Sequence, residues 1–490
     1  MSQQDNAYPP MPIRATPYQH QRDAFALACR LFALKNGNPL SQGAAFLMEM
    51  GTGKTITSIA VTGALYLSGK ICRVLIVAPL SIVGVWDEEF AKFADFDYNL
   101  AVLNGTGLKK AETLKNLGWY KLRGNNEPPP LAVAVVNYES AWRLEKEIAA
   151  WKPDLVIADE GHKIKTHNIS ASKAMHRLGA SAMYKLLLTG TVITNKAIDV
   201  FSQYKFLNPA VFGSSFYAFR NRYFDMVGYG NHTPVLKKSM ADELTQRLHS
   251  IAFRATKAEC LDLPATTDII RTVELEPSAM KVYRDLVKES YAELGEKEIT
   301  AANVLTRLLR LTQLTGGFIG DDEGGTPQNI SRAKLNALSD ILEMTQQEGK
   351  KLVIIARFVA EIKAICTMLG KMGIGYSLIM GGVTDRDEQV KKFQTDPDIQ
   401  VFVGQIATAG LGITLTAAST LVFYSTDYSM SNHEQAKARI HRVGQKENCT
   451  YIYLTAKGTV DEKVLKALRS KADLARMLVD DYRSGRNPYQ

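Results

Sequence analysis

The sequence predicts an α/β protein with two lobes, each built on a parallel sheet, and a helical insert between them. Nearly continuous apolar runs alternate with helical runs from Tyr18 to about Leu188, and the same alternation returns from about Lys334. Such apolar runs are typical of strands buried on both faces of a parallel sheet. The stretch from about 200 to 330 instead carries long helical patterns with few strand signals. A length of 490 residues also exceeds one ordinary domain.

The predicted strands fall into two groups. In the first region they are AAFLM (44–48), RVLIVAP (73–79), LAVAVVN (131–137), DLVIAD (154–159) and YKLLLTG (184–190). In the second region they are KLVIIA (351–356), GYSLIM (375–380), QVFVGQ (400–405), TLVFY (420–424) and TYIYLT (450–455). The helical runs that separate strands of the second region are 358–373, 385–394 and 432–443.

The composition is that of an ordinary globular protein, with 46% hydrophobic and 22% charged residues. No run approaches the ~18 apolar residues of a membrane span, and the N-terminus has no signal-peptide pattern. The five cysteines are scattered without a CxxC pair. We therefore expect neither disulfides nor structural zinc. We also expect a reducing compartment, which would be the cytoplasm of a prokaryotic or infected cell, or the nucleus of a eukaryotic cell. The net charge of +9 favours a polyanionic partner.

The clearest motif is MEMGTGKT (48–55), a glycine loop between a predicted strand and a predicted helix. Gly51 and Gly53 let backbone N–H groups converge on an anion, and the helix N-terminus adds positive potential. Lys54 would reach the β- and γ-phosphates of a nucleotide, and the Thr55 hydroxyl would hold Mg²⁺. The alternative is a Gly-rich turn with a surface lysine.

Two adjacent carboxylates, Asp159 and Glu160, end the predicted strand DLVIAD and begin the sequence DEGH. Ligands bind at the carboxyl ends of parallel strands. Asp159 would coordinate Mg²⁺ opposite Thr55, and Glu160 would orient or deprotonate the attacking water. His162 would couple this site to the next motif or simply pack in the turn. The alternative for the pair of carboxylates is a solvated loop.

The segment QAKARIHRVGQ (435–445) carries two arginines at helical spacing. Arg439 and Arg442 are three residues apart and therefore predicted on one helical face, with Gln435 on the same side. Paired guanidinium groups suit a γ-phosphate and the charge that develops on it, and an arginine from a second lobe acts as a finger in related chemistry. The alternative is a basic helix exposed to solvent.

Two further segments combine glycine with small or hydroxyl side chains. LTGT (188–191) follows a predicted strand, where its hydroxyls can hydrogen-bond to the carboxylates, although Thr-Gly is also ordinary turn chemistry. ATAGLGITLTAAS (407–419) would let backbone approach a ligand or phosphodiester closely, or form a tight turn in a crowded core.

In this order, the motifs resemble the Swi/Snf-type family of superfamily-two helicase-like ATPases over roughly residues 15–470. The segments similar to the family's motifs are TPYQHQ (16–21, glutamine motif), GTGKT (motif I), VLIVAPLSIVGVWDEEF (74–90, motif Ia), NYES (137–140, motif Ib), DEGH (motif II), LTGTVITN (188–195, motif III) and ARIHRVGQ (motif VI). FLNPAVFG (206–213) and RATKAECLDLP (254–264) resemble segments diagnostic of this family rather than of helicases in general.

The chain departs from the family pattern at three places. Met48 replaces the usual first aspartate of motif I, Val192 replaces a common proline in motif III, and residues 405–410, QIATAG, lack the arginine of motif V. The ITLTAAS run is most similar to the annealing-helicase branch. A chain little longer than the motor suggests a minimal viral or prokaryotic member.

The resemblance implies roles for individual residues. The nucleotide contacts would be Gln19, which would read adenine, and Gly51, Thr52, Gly53, Lys54, Thr55 and Gly412. The catalytic residues would be Asp159, Glu160, Arg439 and Arg442, with Thr55 and Asp159 holding the metal. The nucleic-acid contacts would be Ser81, Tyr138, Arg357 and Thr408. ATP and Mg²⁺ are the implied substrate and cofactor.

The implied architecture is two RecA-like lobes. A tail (1–12) precedes lobe one (13–266), which holds a helical insert at about 200–255, and lobe two (267–490) holds another at about 278–330. ATP would be hydrolysed at the cleft between the lobes. The resulting movement would carry a monomeric motor along double-stranded or branched DNA, through salt-dependent phosphate contacts.

Two other functions remain open at this point. A strand-separating DNA or RNA helicase would need a wedge element, which the sequence does not identify. A nucleotide-dependent DNA-binding switch or clamp would hydrolyse ATP slowly and show no movement.

Overall fold

A parallel sheet of seven strands forms the centre of the N-terminal half of the chain. The strands and the small hairpin beside them are β1 Gly43–Met48, β2 Arg73–Ala78, β3 Tyr98–Val102, β4 Leu131–Asn137, β5 Leu155–Asp159, β6 Tyr184–Leu188, β7 Phe224–Val227, β8 Thr233–Leu236 and β9 Ala252–Ala255. The order across the sheet is β3-β4-β2-β5-β6-β1-β9, while β7 and β8 pair separately and antiparallel. Every side chain of β1, β5 and β6 is buried, which explains their continuously apolar sequences.

Helices flank this sheet. They are α1 Gln19–Leu31, α2 Lys54–Leu67, α3 Val85–Phe93, α4 Gly107–Asn116, α5 Tyr138–Arg143, α6 Glu145–Trp151, α7 Ser170–Ser181, α8 Val200–Leu207, α9 Pro209–Phe212, α10 Phe216–Tyr223, α11 Ala241–His249 and α12 Lys257–Cys260. Residues of the sheet and of these helices share one hydrophobic core.

A second parallel sheet, of six strands, forms the C-terminal half. Its strands and a short hairpin are β10 Thr266–Val273, β11 Phe318–Ile319, β12 Gln328–Asn329, β13 Lys351–Ala356, β14 Gly375–Ile379, β15 Ile399–Gln405, β16 Ala418–Phe423 and β17 Cys449–Ala456. The order is β10-β17-β16-β13-β15-β14, and β11 pairs antiparallel with β12. The helices are α13 Pro277–Glu296, α14 Ala333–Gln347, α15 Val359–Lys371, α16 Arg386–Thr395, α17 Met430–Ile440 and α18 Val460–Ala475.

These elements come from a computed structural model, which describes residues 8–35, 37–117, 129–190, 197–227, 233–260, 263–296, 309–320, 327–383, 385–406 and 413–475. The described residues divide into two units, the first comprising those up to 260 together with 473–475 and the second those from 263 to 472. Each unit has its own parallel sheet, so the predicted α/β class with two parallel-sheet lobes is confirmed. Within the described residues, no helix combines the length and apolarity that crossing a membrane requires.

Three sheet strands were not predicted from the sequence. They are β3, β9 and β10, and each lies at an edge of its sheet. Five consecutive residues at the start of β10 are exposed, and most residues of β3 are half-buried. An edge strand with a solvated side does not need the continuous apolar run that identified the central strands. The stretch predicted as helical insert also contains the β7–β8 hairpin.

Candidate nucleotide site and arginine segment

Three motif loops of the first unit leave adjacent strands at the same edge of the sheet. The glycine loop follows β1, the DEGH segment follows β5, and Thr189 and Gly190 follow β6, which lies between the other two strands. The register pairs Leu188 with Asp159 on one side and with Phe46 on the other. Because all three strands are parallel, their carboxyl ends bring these loops together.

The glycine loop has the backbone conformation that an anion cradle needs. Gly51 and Gly53 have φ values of +86° and +90°, which favour glycine. A Cβ atom at Gly53 would also lie 2.0 Å from Nε2 of Gln21. Helix α2 begins directly after this loop at Lys54, so the amides of its first turn have no acceptor within the helix.

The loop's side chains are held by backbone carbonyls at the end of β1. The Thr52 hydroxyl donates to the Glu49 carbonyl at 2.7 Å, and Thr52 is buried. The Lys54 ammonium donates to the carbonyls of Met48 at 2.9 Å and Glu49 at 3.2 Å. The ammonium thus points along the loop. When a nucleotide binds, its phosphate oxygens would replace the Met48 and Glu49 carbonyls as partners of the ammonium.

The glutamine that contacts the loop is Gln21, whereas the glutamine predicted to read adenine is Gln19, and that role remains a prediction. Gln19 is exposed, and its amide donates to Asp23 one turn along α1 at 2.9 Å. Buried Gln21 donates to the Thr52 carbonyl at 3.3 Å and accepts from the Tyr18 amide at 3.0 Å. The Nε2 atom of His20 lies 2.7 Å from the same Thr52 carbonyl. The first turn of α1 decides which glutamine faces the loop, and TPYQHQ offers two.

Asp159 and Glu160 are buried at the end of β5. The Asp159 carboxylate accepts from the Trp86 indole N–H at 3.0 Å and from the Glu160 amide at 2.9 Å. Glu160 has a φ of +49°, a left-handed conformation uncommon for a residue with a side chain. The Nδ1 atom of His162 lies 3.2 Å from a Glu160 carboxylate oxygen, so His162 does contact the proposed base.

The buried charges at this site influence one another. Burial lowers the pKa of Lys54, while the negative charges of Glu160, Asp159 and Glu49 oppose that shift. Burial and the charge of Glu160 raise the pKa of Asp159, and the charge of Lys54 opposes them. A cation bound beside Asp159 and Glu160 would relieve this repulsion between like charges.

The donor set fits a magnesium nucleotide. A strand-end carboxylate (Asp159), a helix N-terminal hydroxyl (Thr55) and a lysine (Lys54) are the groups that bind such a ligand, with phosphate oxygens and water completing the magnesium shell. Among the described residues, no cluster of three or more His, Cys, Asp or Glu side chains could hold a metal without such a ligand.

Tyr138, whose predicted nucleic-acid contact remains a prediction, has a structural contact beside the carboxylates. The residue is buried, and its hydroxyl donates to the backbone carbonyl of Asp159 at 2.7 Å. A hydroxyl used in this way supports the strand end that carries the carboxylates. Ser81 lies in the short 3-10 turn Leu80–Ile82 after β2, and its predicted contact remains a prediction. Thr408 and Gly412 lie outside the described residues.

In the second unit, Arg439 and Arg442 converge on one backbone carbonyl. Their Nη1 atoms lie 3.5 Å and 3.3 Å from the Ile413 carbonyl oxygen. Arg439 is buried and Arg442 is half-buried. The backbone at Ile413 is therefore in contact with both arginines.

The predicted helical face for the two arginines is wrong, because α17 ends at Ile440. Gly444 adopts a φ of +101°, and the buried Gln445 amide donates to the Ile440 carbonyl at 3.1 Å. Gln445 thus caps the helix end, and Arg442 lies in the following turn. Sequence spacing alone could not locate this helix end.

Arg357, the remaining predicted nucleic-acid contact, directly follows β13. Its backbone N–H donates to the Ser425 hydroxyl at 2.8 Å and to the Glu361 carboxylate at 3.2 Å. Its guanidinium lies over the Phe358 ring, 5.1 Å from the centroid. Glu361 also accepts from the Phe358 amide at 3.1 Å and from Ser425 at 2.5 Å, so it orders the segment carrying Arg357.

We expect Glu361→Gln to stabilise the second unit above pH 7. Burial raises the pKa of Glu361 from 4.5 to about 7. The folded unit therefore binds this proton more tightly than the unfolded chain, so its stability falls as pH rises from about 4.5 to about 7. A neutral glutamine removes this loss, which amounts to at most ~3 kcal/mol at pH 8.

Hydrogen exchange of the β13 amides at pH 5 and pH 8, corrected for intrinsic exchange rates, measures this effect. Tryptophan fluorescence would miss it, because all four tryptophans precede residue 262. Glu343→Gln, on the exposed side of α14, is the control. Equal changes of stability with pH in the wild type and Glu361→Gln would contradict the prediction.

A glycine loop after one strand of a parallel sheet, with an Asp-Glu pair at the end of the next strand but one, defines the class of P-loop, helicase-like ATP hydrolases. A family profile described as SNF2-related domain matches residues 27–316. A second, described as helicase conserved C-terminal domain, matches residues 333–444. The chain belongs to the SNF2-related family, and the predicted Swi/Snf-type membership is confirmed.

Curated relatives align with most of this chain. The chain is 25% identical to the DNA repair and recombination protein RDH54 of Saccharomyces cerevisiae over 91% of this chain and 52% of that protein. It is 26% identical to the DNA repair and recombination protein RAD54-like of Drosophila yakuba over 95% of this chain and 63% of that protein. The chain thus spans about half to two thirds of the length of these relatives.

A solved structure described as the Sulfolobus solfataricus SWI2/SNF2 ATPase core in complex with dsDNA is 25% identical. It aligns over 98% of this chain and 96% of that chain with a TM-score of 0.45.

Proposed function

We propose that this chain is an ATP-dependent translocase on double-stranded DNA. The observation that carries the proposal is the meeting of Lys54, Asp159 and Glu160 at the carboxyl ends of β1 and β5, on either side of β6. Membership of the SNF2-related family and similarity to DNA repair and recombination proteins support DNA as the partner. Fork remodelling and annealing are tasks that such movement would serve.

Within this proposal, the nucleotide is ATP and the metal is Mg²⁺. Lys54 and the amides at the start of α2 bind the phosphates, and Thr55 and Asp159 hold the metal. Bound Mg²⁺ would neutralise charge on the phosphate oxygens. Glu160, held by His162, orients the attacking water and accepts its proton. Gln21 replaces Gln19 as the glutamine assigned to the nucleotide.

The proposed DNA contacts are mainly to phosphates. Arg357 is the described candidate in the second unit, and Ser81 is the candidate in the first. Phosphate contacts follow an intact duplex without reading its bases. We further propose that the motor acts as a monomer in the compartment that holds its DNA.

Duplex DNA should stimulate ATP hydrolysis more than single-stranded DNA. Phosphate release measured without DNA and with single-stranded, duplex and forked DNA tests this directly. Stimulation should weaken as salt rises from 50 to 200 mM, because a protein making several phosphate contacts loses roughly 10³-fold or more in affinity over that range. A translocating motor should also displace a triplex-forming strand while leaving a blunt duplex paired.

Glu160→Gln is the control for the triplex assay, since it should bind DNA without displacing the third strand. Efficient unwinding of a blunt duplex, or a preference for RNA, would instead indicate a strand-separating helicase. DNA binding without stimulated turnover would indicate a nucleotide-dependent clamp.

A further inference from the structure

Arg254 is a buried arginine that contacts two of the motif loops. It lies on β9, opposite Leu47 of β1, and is 8% exposed. Its Nη1 atom donates to the carbonyls of Leu47 at 3.0 Å and Gly190 at 3.4 Å. Its Nη2 atom lies 3.4 Å from a carboxylate oxygen of Glu49. One guanidinium therefore joins the end of β1, the segment after β6 and the residue that precedes the glycine loop.

Glu49 accepts the hydrogen bonds that hold the side chains of the glycine loop in place. Its backbone carbonyl accepts from the Thr52 hydroxyl at 2.7 Å and from the Lys54 ammonium at 3.2 Å. Its amide donates to the Ala255 carbonyl at 2.9 Å. Its carboxylate accepts from the Lys257 amide at 2.9 Å, on the same segment as Arg254. The backbone carbonyl of Glu49 thus binds side chains of the glycine loop, while its carboxylate contacts residues 254–257.

We propose that Arg254 is a positioning residue of the nucleotide site: it neutralises Glu49, so that Lys54 remains available to phosphate, and it ties Gly190 to the end of β1. This inference rests on the proposed binding of a nucleotide by the glycine loop. It also assigns a role to RATKAECLDLP, a segment that the sequence marked only as characteristic of the family.

Both parts of this role follow from the chemistry of the guanidinium group. Its planar fork carries five N–H donors, which allows it to bind one carboxylate and two carbonyls together. Arg254 is buried while the Glu49 side chain is 35% exposed, so removing the guanidinium takes the charged partner away from a half-buried carboxylate. Without Arg254, the Glu49 carboxylate would have the Lys54 ammonium as a competing partner, and phosphate binding would weaken.

The test is a double-mutant cycle of Arg254→Gln and Glu49→Gln. Binding of the fluorescent analogue mant-ADP is measured for all four proteins, with and without Mg²⁺. Arg254→Gln should weaken binding roughly ten-fold, a size typical of coupling between contacting residues. The double variant should bind within about three-fold of Glu49→Gln alone, because the unneutralised carboxylate is then gone.

Arg254→Lys separates the two parts of the role. Lysine keeps the positive charge beside Glu49 but has no fork with which to hold Gly190 as well. We expect mant-ADP affinity close to that of the wild type, together with a lower kcat and little change in KM. Arg247→Gln is the matched control, because Arg247 is a half-exposed arginine of the first unit whose Nε lies 2.8 Å from Glu243.

Three results would overturn the inference. The first is wild-type mant-ADP affinity in Arg254→Gln, and the second is a double variant as weak as Arg254→Gln. The third is weak mant-ADP binding by an Arg254→Lys variant whose melting temperature equals that of the wild type. This third result decides the test if Arg254→Gln fails to fold. Absence of mant-ADP binding by the wild type would instead defeat the proposed nucleotide site itself.

Discussion

Glu160→Gln should abolish ATP turnover while leaving ATP bound, and Lys54→Ala should abolish turnover by weakening ATP binding. Glutamine nearly preserves the volume of Glu160 in its buried, left-handed position but cannot accept the proton of the attacking water. Loss of a catalytic base costs ~10²–10⁴-fold in rate. Loss of Lys54 removes a positive charge from the phosphate cradle. Phosphate release and equilibrium binding of mant-ATP, measured on the same preparations, distinguish the two variants.

Exposed residues of the first unit provide the controls for this pair. Glu147→Gln on α6 and Lys115→Ala on α4 make the same chemical changes at the surface, and both should behave as the wild type. Near-normal turnover by Glu160→Gln would show that another group activates the water. Unchanged ATP affinity in Lys54→Ala would assign the phosphates to a different site.

Arg442→Ala should suppress hydrolysis by up to ~10³-fold while ATP binding stays nearly intact. This is the expectation for an arginine that acts on charge developing in the transition state. Arg442 is half-buried in the turn after α17, and its Nη1 atom lies 3.3 Å from the Ile413 carbonyl oxygen, so the thermal stability of the variant is measured alongside its turnover. Single-turnover hydrolysis with a parallel mant-ATP titration separates the chemical step from binding.

Arg439→Ala should behave differently, because Arg439 is 3% exposed. Its loss should weaken nucleotide binding and also lower the thermal stability of the second unit. Arg469→Ala, exposed on α18, is the control for both arginines. Loss of DNA binding with preserved ATP hydrolysis in Arg442→Ala would assign this segment to a DNA-contact surface.

The central strands were predictable because burial on both faces restricts their composition. Each of the ten strands expected from apolar runs is present, with ends that differ by only one or two residues, as for 375–380 and Gly375–Ile379. The glycine loop and the DEGH segment were predictable for a related reason. A phosphate cradle needs positive-φ glycines before a helix, and a metal site needs carboxylates at a strand end.

The sequence was much less informative about where helices end and which side chains of a terminal turn face the site. Gln19 and Gln21 both belong to TPYQHQ, and only the packing of α1 against the loop directs Gln21 toward Thr52. Arg442 follows helical spacing in the sequence, yet Gln445 ends the helix before that position. These outcomes depend on contacts with residues distant in the chain or on local caps, which periodicity does not report.

The sequence by itself determined the α/β class, the two parallel sheets, the order of the motifs and the SNF2-type family, because each depends on local composition or on short motifs with a chemical purpose. Only the tertiary structure decided which residues support those motifs. Tyr138 supports Asp159, and Arg254 joins Glu49 to Gly190 across 205 and 64 positions of the chain. The first contact depends on how α5 packs against the sheet, and the second on the register that places Arg254 opposite Leu47; both are long-range properties that residue patterns do not record.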